Sequence, residues 1–360
     1  MRAMKLQRAD LERAEQAGVL LAGQGEALWS FLTQAGLSDE VAQFRFAHVL
    51  YYLGGMIAIA AMSLFMTVGY TTWGAWSLTV FGVGYAFVAW RLGVWFLERK
   101  HLQVPAGILF TLAIVLVPVA VYGIEAGLGH WSNGERVSEY HALIDWRWVF
   151  LELSTLLAAT IMLWRYRLPF MTMPVAVTLW YISMDLAEWI IVGITHVGDA
   201  PDWERDWLLR KWVSVGFGML MLALALFVDL RARRARGDYA FWLYLFGLLA
   251  FWGGLSSMDS DSEVGKFIYA LINLVLVLTG AVLARRVFPV FGGLGLAFYL
   301  GHLAYTVFPD SLAFSFALSV LGLLIVFAGV WWGRHGDALG DRLRQALSPQ
   351  LAELIQQRRS

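Results

Sequence analysis

Residues 104–125 read VPAGILFTLAIVLVPVAVYGIE, a run in which no charged side chain occurs before Glu125. A helix crosses a hydrocarbon core of about 30 Å with about 20 mainly apolar residues, so this run is long enough to span a membrane. Ten such runs occur along the chain. They lie at 46–69, 73–97, 104–125, 146–164, 168–195, 209–229, 239–257, 264–284, 287–308 and 311–333. The sequence therefore predicts an all-α, polytopic bundle of ten transmembrane helices, with the lipid bilayer as its main partner.

The composition of the chain agrees with a membrane protein. Of its 360 residues, 59% are hydrophobic and 15% are charged, whereas a soluble domain is about 25% charged. Basic and acidic residues both number 27, so no excess of positive charge points to nucleic acid. The chain has no cysteine, which excludes disulfides, thiolate metal sites and thiol nucleophiles. These properties exclude a soluble enzyme, a disordered chain and a secreted disulfide scaffold.

The basic residues predict the orientation of the spans. With the N-terminus in the cytoplasm, twenty of the 27 basic residues fall in inner segments. The outer segments carry only Arg136, Arg147, Arg205, Arg210, Lys211 and Lys266. Lys and Arg concentrate on the cytoplasmic side of membrane proteins, so both termini are predicted to be cytoplasmic.

Polar segments flank the predicted membrane domain, 45–333. Residues 1–44 form a cytoplasmic head with two short helices, the first ending at Gly18. Residues 334–360 form an amphipathic tail, in which Leu339, Leu343 and Leu347 are spaced four apart. Such a tail is typical of a helix on the inner leaflet; docking to a partner is the alternative.

Glycine pairs such as Gly253-Gly254 suit helix packing within one chain or in a homo-oligomer.

The first 70 residues contain a helical pair around 18–20 and 24–32, followed by Arg45-Phe46, Leu50 and Gly54-Gly55 at the start of the first span. On these motifs the chain resembles a family of bacterial membrane proteins known as domain of unknown function 2157. The resemblance implies residence in the bacterial inner membrane. It carries no chemistry that can be transferred to individual residues.

Three carboxylates lie inside predicted spans, where ionisable groups are costly and mark functional sites. Glu152 lies in the fourth span, and Asp185 and Glu188 lie in the fifth. A short turn joins these spans, so they are antiparallel neighbours and all three carboxylates fall in the outer half of the membrane. A cluster there would raise one pKa through like-charge repulsion and desolvation, as a proton or cation carrier requires. Solvated or structurally paired carboxylates are the alternative.

Three further polar residues of later spans lie in the same outer half of the membrane or at its midplane. Lys266 and Asn273 lie in the eighth span and His302 in the ninth. Lys266 could be a counter-ion to one of the carboxylates, and His302 either a proton relay or a hydrogen-bonded histidine between helices. Asn273 is expected to hydrogen bond between helices.

Motifs of enzymes and cofactor sites do not occur. The sequence contains no HExxH, GxSxG or GxxxxGK[ST] motif, and no two histidines have the spacing of metal ligands on one helix. No cofactor or metal is expected, although a zinc site among the outer histidines and carboxylates is an unsupported alternative.

Two functions fit the sequence. The first is a carrier or permease that uses the acidic outer-half site. The second is a non-transporting assembly, sensor or envelope-maintenance protein that binds a membrane-protein partner, because a minimal carrier does not need the 44-residue head and the amphipathic tail.

Overall fold

The computed structural model describes residues 11, 14–15, 17–21, 23–34, 46–131, 146–195, 203–232, 237–258, 260, 262–308 and single positions from 312 to 327. Every regular element in these ranges is helical. The helices are α1 (Gln24–Gln34), α2 (Phe46–Trp73), α3 (Trp76–Glu98), α4 (Gln103–Gly127), α5 (Trp146–Tyr166), α6 (Thr172–Thr195), α7 (Trp203–Arg231), α8 (Phe241–Ser256), α9 (Glu263–Leu283) and α10 (Val287–His302). A 3₁₀ turn, Pro169–Met171, precedes α6, and a π-helical turn, Leu303–Val307, follows α10.

Eight helices in the described part of the chain are long and apolar enough to cross a membrane, and the exception among α2–α10 is α8. With 16 residues, α8 is about 24 Å long at 1.5 Å per residue, shorter than the hydrocarbon core. The all-helical membrane architecture is therefore confirmed, and nine predicted spans correspond to helices. The tenth predicted span, 311–333, is described at only a few positions, and the tail, 334–360, lies outside the described residues. Both stay predictions.

The start of α7 differs from the predicted bounds. This helix begins at Trp203, whereas the predicted span begins at residue 209. Its first six residues, WERDWL, include three charged residues. A search for apolar runs leaves these six residues out of the predicted span. They still extend the helix, because charged residues are compatible with a helix outside the hydrocarbon.

Contacts divide the chain into two compact units, one up to Ala61 and one from Met62 to Arg359. In the first unit, α1 confirms the second predicted helix of the head. The backbone N–H of Gly25 donates to Glu15 Oε1 at 2.6 Å, so the carboxylate caps the start of α1. Gly18 has a φ of +71°, the left-handed conformation that ends helices and favours glycine, where the sequence predicts the end of the first head helix.

The second unit has two apolar cores. One lies between α4, α5 and the turn before α6, around the fully buried Phe110 and Met171. The other lies between α6, α7, α8, α9 and α10, around Tyr244 and Leu248 of α8. The short helix α8 is thus buried among four others, and this position brings its ends against polar groups of its neighbours.

Contacts between successive helices from α3 to α10 show that they run antiparallel, so α6, α8 and α10 end where α7 and α9 begin. We call this the outer end, because the distribution of basic residues predicts that it faces away from the cytoplasm. The opposite end is called the inner end.

A buried ion network connects three helices at the inner end. Arg285 follows α9 and is 4% exposed. Its Nη2 and Nε donate to the two carboxylate oxygens of Asp229 at 2.7 and 3.1 Å, and its Nη1 donates to Asp238. Burial by itself lowers the pKa of Arg285, but the hydrogen bonds and charges of Asp238 and Asp229 outweigh it and raise that pKa above its ordinary value. The guanidinium also lies 4.9 Å from the ring of Tyr244, which favours a cation.

A second contact at the inner end gives a prediction for alkaline pH. The Tyr239 hydroxyl donates to the backbone oxygen of Arg167, and burial raises the pKa of Tyr239 above 10.0, although the charge of Arg167 opposes the shift. A raised pKa means that folding favours the neutral hydroxyl of Tyr239. Its contribution to stability is therefore complete below pH 10 and is lost as the pH rises through the folded-state pKa. Tyr239→Phe is therefore expected to cost about 0.5–1.5 kcal/mol at pH 8, the net value of one hydrogen bond, and less at pH 11.

The measurement is detergent unfolding of both proteins at pH 8 and pH 11. Tyr305→Phe is the control, since Tyr305 is 87% exposed. The prediction would be contradicted if Tyr239→Phe lowered the free energy of unfolding by the same amount at pH 8 and at pH 11.

Candidate functional site

Two predicted site residues, Lys266 and His302, meet at the outer end through a third residue, Glu263. Lys266 Nζ lies 2.9 Å from Glu263 Oε1, and His302 Nε2 lies 3.1 Å from both carboxylate oxygens of Glu263. Lys266 and Glu263 are three residues apart and share a face of α9, whereas His302 ends α10. Of the two interpretations of His302, the structure has the geometry of a hydrogen-bonded histidine between helices.

An open cleft of about 570 Å³ lies beside this group, between the outer parts of α8, α9 and α10. Lys266 and His302 line it together with hydroxyl groups and apolar side chains. The Ser256 and Tyr269 hydroxyls lie 2.8 Å apart and join α8 to α9. The cleft therefore has two cationic or protonatable nitrogens near an otherwise mixed apolar and hydroxyl wall.

Asn273 lies deeper on α9 and is completely buried. The indole N–H of Trp252 on α8 donates to Asn273 Oδ1 at 3.0 Å, and Asn273 Nδ2 donates to the backbone oxygen of Tyr269 at 2.8 Å. A Cβ at Gly295 of α10 would overlap the Asn273 amide, so α10 approaches it closely. The predicted hydrogen bond between helices is confirmed, and it holds Trp252 against Phe298 in the cleft wall, with ring centroids 5.7 Å apart.

Glu188 on α6 pairs with Arg210 on the adjacent helix α7. The whole Glu188 side chain is 11% exposed and the Arg210 side chain 34% exposed. Lys266 is therefore not the counter-ion of Glu188: it lies on α9 beside Glu263, and the antiparallel neighbour of α6 supplies Arg210 instead. Arg210 also lines a second cavity of about 340 Å³ with Lys211 and Trp180, between α6, α7 and α8.

The other two predicted carboxylates lie on neighbouring helices. Glu152 is 6% exposed on α5, and Asp185 is half-buried on α6, one turn before Glu188. The predicted convergence of Glu152, Asp185 and Glu188 stays a prediction.

Two residues of the outer end were missed by sequence reasoning. Glu263 immediately precedes the predicted span 264–284, and Arg210 enters the sequence analysis only as a basic residue of the outer segments. Two signals could have identified Glu263: Ser262 before it is a preferred helix-capping residue, and Lys266 follows it at helical spacing. Within the described ranges, no group of three or more His, Asp or Glu side chains could hold a metal ion.

Comparison of the chain with known protein families, with curated proteins and with solved structures finds no match.

Proposed function

We propose that this membrane protein is a carrier or permease of the bacterial inner membrane, related to domain of unknown function 2157, with both termini in the cytoplasm. The observation that carries the proposal is the open cleft of about 570 Å³ at the outer end of α8–α10, lined by Lys266 and His302. Small-molecule sites are concave, mostly apolar and equipped with a few polar groups, and this cleft fits that description.

The length of α8 supports the same function. A 16-residue helix that starts at the inner end stops before it has crossed the hydrocarbon core. The cleft lies where α8 ends, as expected for a site at an incomplete membrane helix. A solute bound in the cleft would lie between these helices, below the outer surface of the protein.

The buried carboxylates supply groups for coupling to protons or cations. Glu152 and Glu188 are 6% and 8% exposed, and the Arg210 partner of Glu188 lines a cavity. A cation bound at the Glu188 carboxylate would compete with Arg210 for it. Such a cation would therefore alter the packing of α6 against α7.

The test is a flux assay with the full chain in proteoliposomes that contain the pH indicator pyranine. Amino acids, organic acids and monovalent cations are added in turn, and proton movement is followed. We expect at least one solute to produce a flux that is lost in the triple variant Glu152→Gln, Asp185→Asn and Glu188→Gln. The control is Glu98→Gln, because Glu98 is exposed at the inner end and its variant should retain the flux.

A flux that is unchanged in the triple variant would overturn the role of the carboxylates, and no flux with any solute would overturn the carrier function. The second result would favour a non-transporting assembly or sensor protein. One observation supports that second candidate: the residues up to Ala61 form a compact unit of their own.

A further inference from the structure

One exposed carboxylate holds both nitrogen groups of the outer cleft. Glu263 contacts Lys266 Nζ and His302 Nε2 at once. Its side chain is 58% exposed, whereas those of Lys266 and His302 are 29% and 19% exposed. The acid therefore lies on the solvent side of the two nitrogens that it binds.

The Glu263 carboxylate can leave without disrupting the fold. Exposed ion pairs contribute little to stability, because solvent screens the charges and two long side chains must be ordered. Glu263 lies outside the lining of the cleft, whereas Lys266 and His302 belong to it. Rotation of the Glu263 side chain into solvent would leave both nitrogens facing the cleft.

The remaining walls suit an apolar body next to these nitrogens. Leu255, Ile268, Ile272 and Phe298 line the cleft, with the Tyr269 hydroxyl among them. Phe298 rests on Trp252, which Asn273 fixes from below. A ligand of matching chemistry carries one acidic group at an end and an aliphatic or aromatic body.

We propose that the cleft binds a free, small organic acid whose carboxylate takes the place of the Glu263 carboxylate on Lys266 and His302. This inference rests on the carrier function proposed above and names its substrate class. In the empty protein, the Glu263 carboxylate occupies the position on Lys266 and His302 that the carboxylate of the ligand would take.

The experiment measures binding of two probes of similar size and shape, the anion phenylacetate and the neutral phenylacetamide. Calorimetry is performed with the full chain in nanodiscs of phosphatidylcholine, so that no lipid carboxylate is present. Phenylacetate is expected to bind at least about 10-fold more tightly than the amide, because hydrogen bonds to a charged group are the stronger ones.

The variants are chosen so that they shift affinity in opposite directions. Lys266→Met should weaken phenylacetate binding by about 10- to 100-fold, and Lys266→Arg should restore part of it. Glu263→Gln should strengthen binding by about 2- to 5-fold, since it removes a weakly held competitor. A misfolded variant cannot produce this gain. Lys100→Met is the control, because Lys100 is exposed at the inner end, and it should leave binding unchanged.

Equal affinity for the acid and the amide would overturn the proposal, as would weaker phenylacetate binding in Glu263→Gln. If phosphatidylserine in the nanodiscs weakened phenylacetate binding, the occupant of the cleft would be a lipid headgroup and the proposal of a free acid would be overturned. Parallel flux assays separate this inference from the proposed function. Binding without flux refutes the carrier and leaves the site, whereas flux of other solutes without acid binding refutes the site and leaves the carrier.

Discussion

Replacement of Arg285 by Met is expected to lower the free energy of unfolding by about 3–5 kcal/mol, the cost of removing one partner from a buried ion pair. Arg285 and Asp229 are 4% exposed, and two hydrogen bonds of the guanidinium go to the Asp229 carboxylate. Met fills a similar volume but leaves that carboxylate in a site with little water. The variant also loses the link to Asp238, and with it the connection between α7, α8 and α9.

Arg286→Met is the matched control, since Arg286 is the next residue and is exposed. A surface substitution of this kind changes stability by about 0.5 kcal/mol or less. Unfolding is followed by tryptophan fluorescence while the protein is titrated with sodium dodecyl sulfate in mixed micelles. Adding Asp229→Leu to Arg285→Met should recover part of the loss, because the buried charge is then removed from both sides. Equal stability of the Arg285→Met and Arg286→Met proteins would refute a stabilising role for the network.

Replacement of Gly218 by Ala is expected to lower the free energy of unfolding by about 1–3 kcal/mol, the usual cost of overpacking. A Cβ at Gly218 of α7 would lie 2.6 Å from the Cα of Phe251 on α8 and would overlap its backbone nitrogen. Backbone atoms in the middle of a helix cannot rotate away, so α7 and α8 must separate. Close backbone contact at small residues is a main source of helix association in membranes.

Gly216→Ala tests the same chemistry without the contact. Gly216 lies on the same helix, and a Cβ there meets nothing within 4 Å. The alanine should be neutral or slightly stabilising at this position, since glycine is the weaker helix former. The same titration applies, and a loss of stability in the Gly216→Ala protein as large as that in Gly218→Ala would show that packing against Phe251 is not the cause.

The candidate site was only partly predictable. The positions of Lys266, Asn273 and His302 in the outer half or at the midplane followed from counting residues along two spans, since helix rise converts sequence distance into depth. Their partners did not follow, because counting leaves open which helices are neighbours. The structure joins Lys266 and His302 to Glu263 and joins Glu188 to Arg210, contacts that depend on how α6–α10 pack.

Arg285 illustrates the same limit. In the sequence it is one of the basic residues that predict an inner loop. The signal that could have revealed its role is Asp229, an acid at the last residue of the predicted span 209–229, next to the region where an unpaired charge is costly. That signal calls for a basic partner without identifying it, since several arginines lie near the same end of the bundle.

The amino-acid sequence by itself determined that this protein is a helical membrane protein, and it located helices α1–α10. Both are local properties, because each apolar run must satisfy its own backbone hydrogen bonds within the hydrocarbon. Only the tertiary structure decided that Glu263 bridges α9 and α10, that Arg285 is buried between two aspartates, and that a cleft remains where α8 ends. These features depend on contacts between residues far apart in the chain, and such contacts depend on the packing of whole helices against one another.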